Sequence, residues 1–320
     1  MTMKTANNIS PSHLNAKHPF LYKLSKYKIL LLMILPTLLY YLIFSYLPMF
    51  GVILAFKKYD YSLGILKSPL VGLDNFKFFF KSGQAFVVTR NTFLYNVAFI
   101  FIGNAMQLIT AIFLTEIGSK KVRKAAQTCI FFPYFISWVV VGAFIYNVFS
   151  FDYGILNTVL KSMSLSPVNV YTEPKYWPFI IVVLEVWKGL GYGSVVYMAT
   201  ITGIDTSIYE AAEIDGANIM QRIWYITVPT LRSTMITLVL LALGRVFRGS
   251  MDLFYNLVGN NGLLYNFTDV IDTFTFRTLL FSNDIGMSSA VGFYQSILCF
   301  VFIMLANTLV KKIDSDSALF

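Results

Sequence analysis

Thr92 to Thr115 reads TFLYNVAFIFIGNAMQLITAIFLT, 24 residues without a charge. A helix needs about 20 predominantly apolar residues to cross the roughly 30 Å of bilayer hydrocarbon, and this stretch is long enough. Lipid offers no water to its backbone, so only a helix or a closed barrel is admissible, and the length is helical. The linker that follows, 116–125, carries Lys120, Lys121, Arg123 and Lys124. Short basic loops stay on the cytoplasmic side of a membrane, which orients this predicted span.

Working outward, the same pattern recurs. Upstream, an apolar run covers Ile29 to Tyr46, is interrupted at Pro48 and Gly51, and ends at Lys57 and Lys58. Before it, residues 1–28 hold Lys4, Lys17, Lys23, Lys26 and Lys28 with no acid, and the run is too long for a signal peptide, so an uncleaved first span with its amino end inside is expected. Downstream come Ala126 to Phe149 (with Pro133 near its start), Trp177 to Ile201, Leu231 to Val258 and Met287 to Val310, which ends at Lys311 and Lys312. Six spans place both termini in the cytoplasm. The 57–90 loop, with Lys57, Lys58, Lys67, Lys77, Lys81 and Arg90, opposes that orientation; the short 116–125 linker outweighs it. The fold expected is all-α and polytopic, with six transmembrane helices. Its parts are a tail (1–28), the first helix and an outer loop (29–90), a core (91–310) and a second tail (311–320).

Composition narrows the class. Charged residues are 13% of the chain and hydrophobic ones 57%, against about 25% charged in soluble averages. The net charge of +9 is explained by basic residues flanking spans, so a nucleic-acid partner is not expected. Cys129 and Cys299 lie in different predicted spans, which suggests neither a disulfide framework nor a metal site. His13 and His18 fall in the polar tail and suggest no site. No catalytic constellation is visible, and no G-x-x-x-x-G-K-[ST] loop, so the chain is not expected to be an ATPase. The 30 Phe and 20 Tyr read as packing and interfacial belts.

The most informative segment is the loop 203–230, which contains Ile208-Tyr209-Glu210-Ala211-Ala212-Glu213-Ile214-Asp215-Gly216-Ala217 and then Ile226-Thr227-Val228-Pro229. Ser207 and Glu210 fit a capping box that starts a short helix, Gly216 fits the left-handed residue that ends it, and Pro229 suits a helix's first turn. Such a capped helix can transmit a push as a unit, and Ala211 and Ala212 permit close approach. Local physics allows equally an ordinary connector between two spans.

The spacing Glu210-Ala211-Ala212, three residues, Gly216, nine residues, Ile226, then Val228-Pro229 resembles the coupling-loop signature of binding-protein-dependent ABC importer permeases, with Val228 where leucine is usual. Trp187-Lys188-Gly189, Tyr192, Asp215-Gly216-Ala217, Asp269 to Thr273, Gln295-Ser296 and Ala318-Leu319-Phe320 resemble the carbohydrate-uptake branch, nearest its permeases for complex oligosaccharides. The resemblance implies a type I importer fold in a bacterial plasma membrane. It also implies a second homologous permease subunit, two ATPase subunits that hold ATP and Mg, and an extracytoplasmic sugar-binding protein. No cofactor is implied on this chain. Glu210, Ala211, Ala212, Asp215, Gly216, Ile226 and Pro229 would couple to the ATPase.

Charges inside spans are costly and usually face a wet interior. Glu185 and Lys188 are one helical turn apart, with Gly189 and Tyr192 on the same face. Aligned on the coupling motif, the family's cavity-lining positions fall on Glu185, Lys188, Gly189 and Tyr192, then on Ala242 and Val246, where relatives often carry small polar residues. Arg245, Arg248 and Asp252 could substitute there. Such groups suit an oligosaccharide, since sugar hydroxyls bind charged partners and an aromatic face. The blander alternative pairs Glu185 with Lys188 and Arg248 with Asp252, leaving Arg245 free, a hint of an acidic sugar. Two other classes compete. A self-sufficient secondary transporter or channel would favour internal inverted repeats, and none is evident. A membrane enzyme would need the missing catalytic groups.

Overall fold

The structure is a computed structural model that describes residues 26–313. Lys4, Lys17, Lys23, His13, His18 and Ala318 to Phe320 lie outside the described residues. The described chain is helical, and its one extended contact is an isolated antiparallel bridge between Lys57 and Leu70. Four helices are long and apolar enough to cross a membrane, or up to six spans if each of two bent pairs counts as one.

Contacts divide the chain after Val52. The first unit contains most of helix α1 (Lys28–Phe56), whose mean hydropathy of 2.1 has no polar side, as suits a lipid-embedded helix. It runs through Pro48 because a π-helical turn at Leu42–Tyr46 precedes the proline and absorbs the lost backbone bond.

In the second unit, α2 (Asp74–Lys81) is a short amphipathic helix, and Gly83 at φ 75° turns the chain into α3 (Gln84–Glu116). α3 starts eight residues before the apolar run at Thr92, because Thr89, Arg90 and Asn91 interrupt the run without breaking the helix, and Ala85 and Val88 of the added turns are buried. The run 126–149 is not one straight span. α4 begins earlier, at Lys120, so the basic linker forms its first turn, and it ends at Phe131. A 3₁₀ turn at Phe132–Phe135 around Pro133 leads to extended Ile136. Ser137 then caps α5 (Trp138–Phe149), and the pair is bent by 92°. α6 (Trp177–Thr202) matches its expected span closely.

After α7 (Thr206–Ile214), α8 (Ile219–Thr230) passes through a π-helical turn at Ile223–Thr227 and meets α9 (Arg232–Leu243) at 54°. Pro229 therefore lies within a continuing helix, not at a fresh start. The expected span 231–258 is also overturned: α9 stops at Leu243, residues 244–247 form a turn, 248–250 are irregular, and α10 (Met251–Val258) is separate. α11 (Ile271–Leu280) and α12 (Ile285–Ile313) complete the unit.

Helices in lipid gain little from apolar burial against each other, so close approach at small residues matters. At Gly191 of α6 an added Cβ would sit 2.6 Å from the Ile130 carbonyl oxygen and from Phe131 Cα of α4, and at Gly142 of α5 one would sit 2.2 Å from the Asn256 carbonyl oxygen of α10. Trp177, Ile181, Tyr95, Ile145 and Phe254 join α3, α5, α6 and α10 in one cluster. Phe79, Val88, Ile271 and Val291 join α2, α3, α11 and α12 in another.

The basic 57–90 loop has a structural explanation. Lys57 is buried, and its Nζ donates to the carbonyls of Ile65 (3.0 Å) and Leu66 (2.7 Å). Lys77 pairs with Asp74 at 2.6 Å. These cations satisfy local backbone and carboxylate groups, so their number says little about which side of a membrane the loop faces.

Candidate functional site

The loop between α6 and α9 folds into a two-helix hairpin. The cap of α7 is Asp205, not Ser207: the Asp205 carboxylate accepts from the Ser207 N–H at 2.9 Å, and no Ser207–Glu210 box forms. The Ser207 N–H and hydroxyl, both bonded to that carboxylate, hold it below its ordinary pKa. A carboxylate at this end also complements the helix dipole.

The other end of α7 closes as the glycine implied. Gly216 adopts φ 82°, its N–H donates to Glu213 O (3.0 Å), and the Ala217 N–H donates to Ala212 O (2.9 Å). That pair of bonds is a Schellman motif, which only a residue tolerant of the left-handed region completes cheaply. The capping box occurs one helix later: Asn218 Oδ1 accepts from the Gln221 N–H (2.9 Å), and Gln221 Oε1 accepts from the Asn218 N–H (2.8 Å). Asn218-x-x-Gln221 has the spacing of such a box in the sequence.

Two side-chain contacts clamp the hairpin. Arg222 Nη1 bonds Glu213 Oε2 at 3.1 Å, and the Tyr209 and Thr227 hydroxyls meet at 2.9 Å. Leu231, fully buried, then packs with Ala111 and Ile112 of α3 and Tyr197 and Ile201 of α6, with Ile223 and Val228 alongside. The hairpin is thus bolted to two long helices at its base. Its far side is different. Ile214 is 86% and Tyr225 80% exposed, and Ile208, Ile219, Met220 and Trp224 are exposed with them. Glu210, Ala211, Asp215, Gly216 and Pro229 are exposed too, whereas Ala212 and Ile226 are half-buried.

The polar residues of α6 share a face, but Glu185 and Lys188 form no ion pair among the described contacts. Lys188 Nζ donates instead to the carbonyls of Tyr134 (2.7 Å) and Pro133 (3.3 Å), freed where α4 ends at the bend. It lies over the rings of Tyr134 and Trp138, 5.6 and 5.5 Å from their centroids. Tyr134 in turn stacks flat on Tyr192, centroids 4.9 Å apart and planes 8° apart. Gln107 of α3 donates to Gly189 O at 3.4 Å and crowds Gly193 so closely that a Cβ there would collide with its amide. Tyr134 and Gln107 carried no distinctive sequence signal, since both depend on contacts between distant segments.

The second polar group sits in the break after α9. Arg245 and Arg248 are exposed, and neither is in an ion pair among the described residues. Asp252, exposed in the first turn of α10, does not pair with Arg248. The carboxylate that organises this break is Asp272. Its Oδ2 accepts from the Gly249 N–H (2.5 Å) and from Gln295 Nε2 (2.7 Å), while Gln295 also reaches Phe247 O (2.8 Å). Asn96 Nδ2 of α3 holds Arg248 O at 3.0 Å. Nearby, buried Asp269 takes a two-pronged bond from Arg277 (2.5 and 3.1 Å) and the Thr273 hydroxyl (2.7 Å). Val246 is fully buried against Ile100 and Phe247, so it offers no surface to a solute here, and Ala242 packs beside it.

The chain is similar in sequence and fold to known proteins. The sequence profile of binding-protein-dependent transport system inner membrane components matches residues 107–315. Protein LplB of Bacillus subtilis (strain 168) is 33% identical over 293 residues, 92% of each chain. The polygalacturonan/rhamnogalacturonan transport system permease protein YteP of the same strain is 31% identical over 299 residues, again 92% of each. A solved bacterial ABC transporter involved in import of the acidic polysaccharide alginate contains a chain that superposes with a TM-score of 0.83 at 30% identity, covering 92% of this chain and 99% of that one. A second alginate transporter structure, in complex with an alginate pentasaccharide-bound periplasmic protein, gives 0.82. With two thirds of its length inside the family's profile, this chain is a multi-pass membrane protein of the binding-protein-dependent transport system inner membrane components, the permeases of ABC importers.

Proposed function

We propose that this chain is one of two homologous permease subunits of an importer for acidic oligosaccharides, driven by two ATPase subunits and supplied by an extracytoplasmic sugar-binding protein. ATP and Mg reside on the ATPase subunits, and this chain carries no cofactor of its own. Both termini, including the tails 1–28 and 311–320, face the cytoplasm of a bacterium, and residues 91–310 form the translocating core.

The observation that carries the reading is the hairpin 205–230. It is capped at each end, clamped by Glu213–Arg222 and Tyr209–Thr227, anchored through Leu231, and apolar on its free side. Large apolar side chains exposed together on a rigid element mark a protein contact. Glu210, Ala211, Ala212, Asp215, Gly216, Ile226 and Pro229 lie on this hairpin, and a groove of an ATPase subunit receives it. A displacement of the hairpin reaches α3 and α6 through the Leu231 cluster, and α6 carries the Glu185, Lys188, Gly189 and Tyr192 face.

The acidic character of the cargo is supported by Arg245 and Arg248, exposed in the break after α9, and by relatives whose described cargoes are polygalacturonan, rhamnogalacturonan and alginate. A guanidinium meets a carboxylate through two parallel bonds. The test is uptake by the assembled importer of a uronate oligosaccharide and of its reduced, neutral counterpart. Arg245→Gln and Arg248→Gln should raise the KM for the charged sugar roughly tenfold or more, as expected for a lost hydrogen bond to a charged group. Equal effects on both sugars, or none on either, contradict the assignment.

A further inference from the structure

Arg90 is not explained by sugar or by coupling. It lies six residues into α3, about 9 Å along the axis at 1.5 Å per residue. The preceding α2, with exposed Phe78 and Phe80 beside Lys77 and Lys81, has the composition of a helix lying in a membrane interface. An interfacial α2 would place Arg90 somewhat less than two turns away along α3, near the level where headgroups give way to hydrocarbon.

The guanidinium is held in place. Nε and Nη2 donate to Asn91 Oδ1 at 3.2 and 2.9 Å, and Nη2 also donates to Asn266 O at 2.7 Å. These partners are neutral, and Arg90 is in no ion pair among the described residues. Its Nη1 makes no described hydrogen bond. Arginine is suited to such a position because its fork presents donors in a fixed plane to phosphate.

Two grooves meet at this side chain. One, of about 590 Å³, runs past Phe80, Phe86, Phe93, Phe247 and the bonded hydroxyls of Thr89 and Tyr294. The other, of about 330 Å³, runs past Leu94, Tyr95, Ala98, Pro178, Val182 and Phe267. Arg90 lines both. Each falls in the size range of ligand sites, roughly 300–1,000 Å³. A fixed cation between two hydrocarbon-lined grooves is complementary to a ligand with one anionic centre and two apolar arms.

We propose that this is a binding site for an anionic diacyl phospholipid, its phosphate on Arg90 and one acyl chain in each groove. The site is independent of the sugar assignment. The apolar linings shelter methylene groups, and the guanidinium supplies the preference for an anionic headgroup, since a basic residue near an anionic lipid surface is worth a several-fold change in affinity.

The test is native mass spectrometry of the full chain released from nanodiscs of equal phosphatidylglycerol and phosphatidylcholine. The wild type should retain phosphatidylglycerol over phosphatidylcholine by about fivefold or more. Arg90→Gln should abolish that preference, and Arg90→Lys should retain part of it; where Arg90→Gln does not fold, the wild-type ratio itself decides. Ala98→Phe fills the smaller groove and leaves the cation, so it should lower total retained lipid. An unchanged ratio in Arg90→Gln, or a wild-type ratio near one, overturns the headgroup assignment. Unchanged retention in Ala98→Phe overturns the two-groove seat. In the assembled importer, efficient cross-linking of Ala98→Cys to the other permease subunit would assign the groove to a protein helix and overturn the proposal.

Discussion

Replacing Gly216 with alanine isolates the carboxyl-terminal cap of α7 from the rest of the hairpin. At φ 82° a Cβ built on this residue meets no heavy atom within 4 Å, so the substitution introduces no clash. The cost is the left-handed penalty for an L residue, roughly 1–2 kcal/mol, offset by about 0.4–1 kcal/mol from the stiffer unfolded chain. A net loss of about 1 kcal/mol shifts the balance between capped and frayed α7 some fivefold. Gly216→Asn should recover much of this, because asparagine tolerates the same region. Gly203→Ala is the control: it lies in the same loop at φ −84°, and its Cβ would make an ordinary 3.4 Å contact with Thr200 O. The assay is the assembled importer in proteoliposomes, reading substrate taken up per ATP hydrolysed beside the melting temperature. Gly216→Ala should lower uptake per ATP several-fold with little change in melting, and Gly203→Ala should behave as wild type. If Gly216→Ala matches Gly203→Ala, or if Gly216→Asn is as impaired as Gly216→Ala, a rigid capped helix is not what transmits the push.

Further outcomes follow from packing and charge. Gly191→Ala drives a Cβ to 2.6 Å from the α4 backbone and should destabilise the chain by about 1–3 kcal/mol, whereas Gly292→Ala, with nothing within 4 Å, should be neutral or stabilising; detergent-solubilised melting curves compare the two. Leu231→Ala empties a fully buried site at a cost of about 2–5 kcal/mol and should loosen the hairpin's base, seen as faster amide exchange in residues 219–231. Asp205 is held below its ordinary pKa by Ser207, so its contribution is complete above the unfolded pKa and lost only as pH falls through the lowered native value. Exchange at the Ser207 amide, corrected for intrinsic rate, should therefore be flat from neutral pH to about pH 5 and rise only in stronger acid.

Much of this fold is legible in the sequence where one apolar run makes one helix. α6 and α12 lie within a few residues of their predicted bounds, because hydropathy alone determines them. The run 126–149 misleads because its composition is uniform while Pro133 and Ser137 redirect the backbone by 92°. The run 231–258 misleads for another reason. What holds residues 244–250 out of a helix is Asp272 bonding the Gly249 N–H from a segment 23 residues away, a contact no local pattern announces. The same holds for Lys188, whose carbonyl partners exist only because α4 ends beside it. The hairpin was the reverse case. Gly216 and its left-handed turn are plain from residue type, whereas the Ser207–Glu210 spacing misplaces the cap, which is Asp205.

The most direct measurement of the account is transport by the assembled importer in proteoliposomes, with the sugar-binding protein loaded with a labelled uronate oligosaccharide, against the purified chain alone. Uptake should need ATP hydrolysis, the ATPase subunits and the binding protein together, and this chain by itself should show none. Uptake by the isolated chain down a substrate or ion gradient, without ATP, would contradict it.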